Sequence, residues 1–286
     1  MAVLLTGGTG FLGRHVLTQL HAGGKRVIVY GRRMPPAMTG VRFVEGDITS
    51  ANGLRCLPWS EITEVVHLAA AGVKASCRDW PNAVAVNVVG TQRLWDAIST
   101  AGYSPDIFYA RTFYEDLVSG NPELLGNPYI ATKWAAHELA AIFARDYPGG
   151  FVAGNLFQIY GPGDSAASVL SYAVAEFRIG RQAVFGSGTG LRDWIHVSDA
   201  ASAILASLAT TRGEKAVYDI GTGELRSIRE MVLELHRLFP GAPFPVFDPV
   251  RDRNDLRLSA KATRFPPQWR PTMSVDSGLT SLRGSL

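Results

Sequence analysis

Cysteine is scarce in this chain. Cys56 and Cys77 are the only two in 286 residues, and no C-x-x-C spacing joins them, which argues against both a disulfide framework and a cysteine-bound zinc site. Long apolar runs are missing too. No uninterrupted stretch reaches the length of a membrane span, and no charged-then-apolar leader precedes the glycines at position 7. The cytoplasm is the expected compartment, with no membrane partner. Charge of one sign is also in short supply: the net formal charge is +3, with no block of like charges, so nothing calls for nucleic acid. An anionic small ligand suits so mild a positive bias. What remains, 47% hydrophobic and 19% charged, is ordinary for a buried globular core, large enough for one big domain or a big one with a small companion.

Strand-like apolar runs alternate with helix-length segments along the first half. Strands are expected at Val3 to Leu5, Val27 to Tyr30, Arg42 to Val44, Glu64 to Leu68, Asp106 to Ala110 and Phe151 to Leu156, and helices at Ala83 to Thr100 and Tyr129 to Asp146. That alternation predicts an α/β fold with a doubly wound parallel sheet covered by helices on both faces. Beyond residue 160 the pattern breaks into Gly/Pro-punctuated pieces. The expected division is a nucleotide-binding domain over residues 1–160, with parts of 190–222 returning to it, and a smaller substrate lobe over 161–286, closing over the cofactor site.

The most informative stretch is Thr6 to Gly13, TGGTGFLG, between the apolar run Val3-Leu4-Leu5 and a helical pattern from His15 to Leu20. Gly7 permits a tight strand-to-helix turn, Gly10 lets backbone N–H groups approach a pyrophosphate, and Gly13 lets the helix pack on the strand. Thr9, Phe11 and Leu12 share that loop and belong with the dinucleotide contacts. About 20 residues on, where an NAD-selective site places a carboxylate on the ribose 2′-hydroxyl, the chain reads Gly31-Arg32-Arg33. Two guanidiniums suit a 2′-phosphate, which favours NADP(H) and leaves NAD(H) possible; the bland alternative is a solvated arginine loop.

Tyr129 and Lys133 stand four apart at the start of a helical pattern, so both project from one face. An ammonium beside a phenol favours the phenolate, which suits a general acid and base. Alone, such a pair is more often packing plus a solvated lysine; the glycine loop raises its standing. Thr112, just beyond the strand ending at Ala110, is placed to hydrogen-bond a substrate carbonyl, or to serve as a turn or cap hydroxyl.

These segments together resemble the extended short-chain dehydrogenase/reductases of the nucleotide-sugar epimerase, dehydratase and reductase group, over nearly the whole chain. TGGTGFLG is similar to the family's opening loop, Gly46-Asp47-Ile48 to its adenine segment, His67-Leu68-Ala69-Ala70 to the strand end that passes the cofactor, and Val86 to Thr91 to its asparagine-bearing helix. Asn127 to Leu139 carries the Tyr and Lys of the family's active site. IYGPGD (Ile159 to Asp164), RDWIHVSDAASAI (Arg192 to Ile204) and YDIGTGE (Tyr218 to Glu224) resemble the substrate-lobe signatures. The resemblance implies a Rossmann-type sheet with a smaller C-terminal lobe. It implies that Thr112 orients the reacting oxygen, Tyr129 exchanges the proton, and Lys133 holds the nicotinamide ribose while tuning Tyr129. Asp47, Ile48, Leu68, Ala69, Ala70 and Leu156 become cofactor contacts, and Phe113, Gln158, Arg192 and either Arg251 or Arg253 substrate contacts. Arg192 beside Asp193 has a structural ion pair as its alternative reading.

The chain also departs from the family. Its usual Ser-Ser-x-x-Val-Tyr-Gly is here Arg111 to Leu117, Asn155 stands where an arginine is common, and Gln158 replaces an asparagine. The arginines at 32 and 33 point to NADPH and to reduction, and Thr112 followed by aromatics resembles the loop of some reductases acting on nucleotide-linked 4-keto-deoxy sugars, so the leading expectation is NADPH-dependent reduction of a nucleotide-linked 4-keto-6-deoxy sugar. The alternatives are an epimerase or dehydratase with bound NAD and, from another class, a non-catalytic NADP(H)-binding sensor or scaffold. The resemblance also implies a homodimer, built from Val84, Val88 and Trp95 on one helix and Ala135, Leu139 and Ile142 on another.

Overall fold

The computed structural model describes residues 1–73, 79–210, 213–252 and 258–284. The described chain divides into two compact units. The first comprises Met1–Leu156, Ala201–Asp219 and Pro266–Trp269; the second comprises Phe157–Ala200, Ile220–Phe265 and Arg270–Leu286.

The first unit is built on β1 (Ala2–Thr6), β2 (Val27–Gly31), β3 (Val41–Glu45), β4 (Ile62–His67), β5 (Asp106–Thr112) and β6 (Phe151–Leu156). These strands pair in parallel in the order β3-β2-β1-β4-β5-β6. The central ones are apolar on both faces, as strands between two helical layers must be: every residue of β1 is buried. The sheet order reverses direction between β1 and β4, and the crevice beyond the strands' carboxyl ends at such a switch point is where ligands bind in open α/β sheets. The helices here are α1 (Phe11–Ala22), α2 (Ala51–Arg55), α3 (Trp80–Ala83), α4 (Thr91–Ala101), α5 (Tyr114–Leu117) and α6 (Pro128–Asp146). Between α3 and α4 the chain makes a π-helical segment, Val84–Gly90.

The core of this unit sits where α4 and α6 meet the sheet. Trp95 is its hub, stacked on Phe143 at 5.0 Å between ring centres and edge-on to Tyr109, His67 and Phe151. Trp95 is 3% exposed, so its expected place in a dimer interface is corrected: an indole that fills the sheet-facing layer has no surface left for a partner.

The second unit holds a three-stranded sheet of β7 (Gln158–Tyr160), β9 (Leu191–His196) and β11 (Leu225–Ser227) and a two-stranded ladder of β8 (Val184–Phe185) and β12 (Val246–Phe247). Among the helices, α7 (Val169–Arg178), α9 (Ile228–His236) and α10 (Val275–Arg283) pack around Tyr160, Phe177, Trp194 and Met231. Trp194 belongs to this core. The remaining elements are α8 (Val197–Thr210) and β10 (Lys215–Ile220), the latter lying beside β6 at the edge of the large sheet. Among the described residues no helix is long and apolar enough to cross a membrane.

Candidate active site

The glycine loop shows the tight turn expected at Gly7 and the close helix-strand packing expected at Gly13. Gly7 has φ +73°, and a Cβ there would lie 2.7 Å from the carbonyl carbon of Leu68. A Cβ on Gly13 would lie 2.1 Å from the Gly7 carbonyl oxygen, so no larger residue lets α1 sit this close to the end of β1. Gly10 is the N-cap of α1 and no side chain caps that end, which leaves the N–H groups of the first turn, including those of Phe11 and Leu12, for an anion.

The other expected cofactor residues follow the carboxyl ends of the parallel strands. Asp47, just past β3, accepts hydrogen bonds from the Thr49 N–H at 2.9 Å and the Thr49 hydroxyl at 2.8 Å. These, with Arg32 at 3.9 Å, hold its carboxyl below the usual range. Ile48 is buried beneath Gly90. Leu68, Ala69 and Ala70 follow β4, where the Ala69 N–H donates to the Thr6 hydroxyl at 3.3 Å. Arg32, with a side chain 71% exposed, stands beside Asp47; Arg33 is exposed.

Thr112 is the last residue of β5, paired in register with Leu156 of β6. Tyr129 opens α6, whose first turn is fixed by Pro128 and by the Asn127 side chain accepting the Tyr129 N–H at 3.0 Å. One turn on, Lys133 is 5% exposed. Its ammonium donates to the Ala110 carbonyl at 2.6 Å and to the Tyr109 hydroxyl at 3.4 Å, and burial pulls it down to about 8. A lysine so placed is no solvated surface group. Phe113 is buried and stacked on Tyr114 at 4.1 Å between ring centres.

Sequence reasoning missed two features here. Asn87, buried in the π-helical turn, accepts the Ala71 N–H at 2.7 Å and donates to the Ala71 carbonyl and to the Thr132 hydroxyl. It ties the chain after β4 to the second turn of α6; the asparagine-bearing helix motif was the available signal. The second feature is a charge network at the end of β5, buried except at Asp116. Arg111 donates to Glu115 at 3.0 Å and to Asp116 at 2.7 Å, and the Asn155 amide donates to Asp116 and to Asp219. The departure from Ser-Ser-x-x-Val-Tyr-Gly marked the place without disclosing the pairing.

In the second unit, Gln158 lies on β7 opposite Trp194 of β9. Arg192 is buried and donates to the carbonyls of Leu191 and Leu258 at 2.7 and 2.8 Å. Its neighbour Asp193 serves other partners, accepting from the N–H groups of Thr222, Gly223 and Ala262. Arg251 faces Asp248 at 3.9 Å, and Arg253 lies outside the described residues. This unit also holds a cavity of about 370 Å³ lined by Tyr160, Trp194, His196, Arg226 and Thr272, among others.

Residues 3–221 match the NAD dependent epimerase/dehydratase family. The chain belongs to that family. Among its similar members is a dTDP-glucose 4,6-dehydratase of Mycobacterium tuberculosis, 30% identical over an alignment that covers 95% of this chain and 88% of that one. Another is a UDP-glucose 4-epimerase of Erwinia amylovora, 26% identical, with 96% and 95% covered. A solved structure described as "MoeE5 in complex with UDP-glucose and NAD" superposes with a TM-score of 0.78 at 28% identity, covering 99% of this chain and 98% of that one. The extended short-chain dehydrogenase/reductase membership and the parallel α/β sheet therefore stand as expected. The ketoreductase activity and the preference for NADP(H) find no such backing: these relatives are named as a dehydratase and an epimerase, and the solved neighbour holds NAD.

Proposed function

We propose that this family member oxidises and re-reduces a ring hydroxyl of a nucleoside-diphosphate sugar, in an epimerase-type cycle that ends with no net consumption of its nicotinamide dinucleotide. The observation that carries this reading is the placement of Thr112 at the end of β5 with Tyr129 and the buried Lys133 on the first turns of α6. The glycine cradle at Gly7 and Gly13, which any Cβ would fill, fits the dinucleotide, whose contribution is to take up and return a hydride. Gly7, Thr9, Gly10, Phe11 and Leu12 hold its phosphates, Asp47 and Ile48 its adenosine, and Leu68, Ala69, Ala70 and Leu156 the rest of its path. Tyr129 accepts the hydroxyl proton on oxidation and returns it on reduction, Thr112 holds the reacting oxygen, and Lys133 supplies the positive charge that favours the phenolate. Gln158, Arg192 and Arg251 are assigned to the nucleotide diphosphate, with Phe113 beside the sugar.

Epimerisation is favoured over dehydration by what the carboxylates near Thr112 are doing. Elimination of water needs an acid or base beyond the Tyr. Glu115 is fully enclosed and Asp116 is bonded to both Arg111 and Asn155, so each is held by protein partners.

A second reading rests on Gly31-Arg32-Arg33, where no acid awaits the ribose 2′-hydroxyl: NADPH-dependent reduction of a 4-keto-6-deoxy sugar nucleotide. Denaturing the purified protein and identifying the released dinucleotide separates the two. Tightly held NAD⁺ in stoichiometric amount, with isomerisation of UDP-glucose or dTDP-glucose, is the expected result. An empty, exchangeable site that prefers NADPH moves the assignment to the reductase, and binding without turnover of any nucleotide sugar leaves only a dinucleotide-binding role.

A further inference from the structure

Three consecutive residues at the end of β5 are gripped from below by two buried side chains. Lys133 holds the carbonyl of Ala110 at 2.6 Å. Glu115 accepts the N–H of Thr112 at 2.8 Å with one carboxylate oxygen, and Nε of Arg111 at 3.0 Å with the other. The Glu115 side chain is 0% exposed and that of Arg111 is 6% exposed, so neither carboxylate oxygen is presented to a substrate.

We propose that Glu115 is a positioning residue of the site: its carboxylate fixes the backbone of Thr112 and supplies the buried negative charge that accompanies the Lys133 ammonium. This rests on the reading above for what Thr112 and Lys133 do, but the charge coupling stands apart from any substrate.

The charges around Lys133 show why Glu115 matters. From β4 it meets His67, which burial and the lysine itself hold neutral, down to about 3. From β5 come Tyr109, a phenol pushed well above its ordinary value, and Arg111, whose positive charge opposes a second one nearby. From its own helix come Tyr129 and His137, the latter held down to about 4 by burial and by the positive charges of Arg111 and Lys133. Glu115 on α5 is the group that raises Lys133 against burial and against Arg111. A buried cation with no anion to match it deprotonates. Neutralising Glu115 therefore leaves Lys133 between burial and an unrelieved guanidinium, both acting in the same direction.

The test is Glu115→Gln, which keeps the size and one acceptor while removing the charge. Lysine labelled with ¹³C at Cε, and assigned with Lys133→Met, reports the Lys133 titration by NMR without any substrate. The titration is expected to fall by about 1 unit or more, and the alkaline limb of the pH profile for turnover is expected to fall with it. Glu115→Asp, which keeps the charge, is expected to restore most of both. A Gln variant whose lysine titrates as in wild type overturns the proposal. Should Glu115→Gln fail to fold, the apolar pair Arg111→Met with Glu115→Met keeps the test alive, since buried ion pairs tolerate such replacement. Against Arg111→Met alone, the double variant is expected to lower the Lys133 titration, because only the Glu115 charge separates the two, and equal titrations in the two variants overturn the proposal. Because the NMR arm needs no nucleotide sugar, a protein inactive on every sugar tested removes the functional reading while this one is still decided by the lysine.

Discussion

Thr6 and His67, at the ends of adjacent parallel strands, are joined side chain to side chain at 2.7 Å, and the other ring nitrogen of His67 meets Thr91 at 3.0 Å. A ring held on both sides by hydroxyls in a dry interior is a neutral imidazole. Its value falls from 6.5 to about 3 through burial and the nearby Lys133. In the unfolded chain the same group takes a proton near its ordinary value, so the unfolded state binds more protons between about 6.5 and 3. Stability is therefore present above pH 6.5 and lost as pH falls toward 3, by roughly 4–5 kcal/mol when the window is fully crossed. Melting temperatures measured from pH 7 to pH 4 are expected to decline, with the His67 ring resonances showing no titration above pH 4. A His67 that titrates near 6.5 in the folded protein contradicts this.

Tyr129→Phe removes only a hydroxyl from the first turn of α6. Turnover is expected to fall by about 10²–10⁴-fold, the usual contribution of a positioned acid or base, with dinucleotide affinity almost unchanged. Steady-state kinetics alongside a fluorescence titration of the dinucleotide check both halves. Near-wild-type turnover removes Tyr129 from the chemistry.

Gly13→Ala places a Cβ against the Gly7 carbonyl oxygen, at 2.1 Å before any relaxation. Overpacking of this kind costs about 1–3 kcal/mol. Because α1 must withdraw from the loop, dinucleotide binding is expected to weaken more than stability does. Calorimetric melting and a binding titration on the same variant compare the two, and a variant that binds as tightly as wild type argues against the cradle.

The face of α6 away from the sheet carries Trp134, Leu139 and Ile142, with exposures of 37%, 39% and 57%, and Val84 at 41% lies on the segment packed beside it. Exposed apolar side chains grouped on neighbouring helices fit a two-fold pairing, and we propose a homodimer through them without Trp95. Light scattering at micromolar concentration is expected to give twice the chain mass, and Trp134→Glu with Ile142→Glu is expected to halve it. A wild-type monomer removes the proposal.

The sequence disclosed most where one residue type has one physical use. Phe151 to Leu156 was legible as a strand because it opens on the consecutive apolar residues Phe151, Val152 and Ala153 straight after Gly149-Gly150, as a strand buried on both faces does. Gly7 and Gly13 were legible because a backbone approach excludes every other residue. The end of β5 was not: the run was expected to stop at Ala110, since arginine reads as the edge of a loop, yet β5 continues to Thr112 because Arg111 is neutralised by Glu115 and Asp116. Asn155 completes that network from β6, and contacts between residues so far apart leave no local pattern. In the tail, Pro266, Pro267 and Pro271 read as loop. Those prolines stop at Pro271, and α10 begins at Val275 with Ser274 accepting the Ser277 N–H as its cap. In the second unit the short strands of the three-stranded sheet gave no periodic signal of their own.

The π-helical segment between α3 and α4 acts as a phase adjuster for the helix it interrupts. Each residue of an α-helix advances the face by about 100°, and the wider turn takes in an extra residue without ending the rod. Downstream, Leu94, Trp95 and Ile98 turn into the core; within the wide turn, Asn87 turns to Ala71 and Thr132. Shortening the segment by one residue would restore an unbroken α-helix and improve its local geometry. It would also swing either Asn87 or the Trp95 face off its partners, so a change that favours the helix would disfavour the protein.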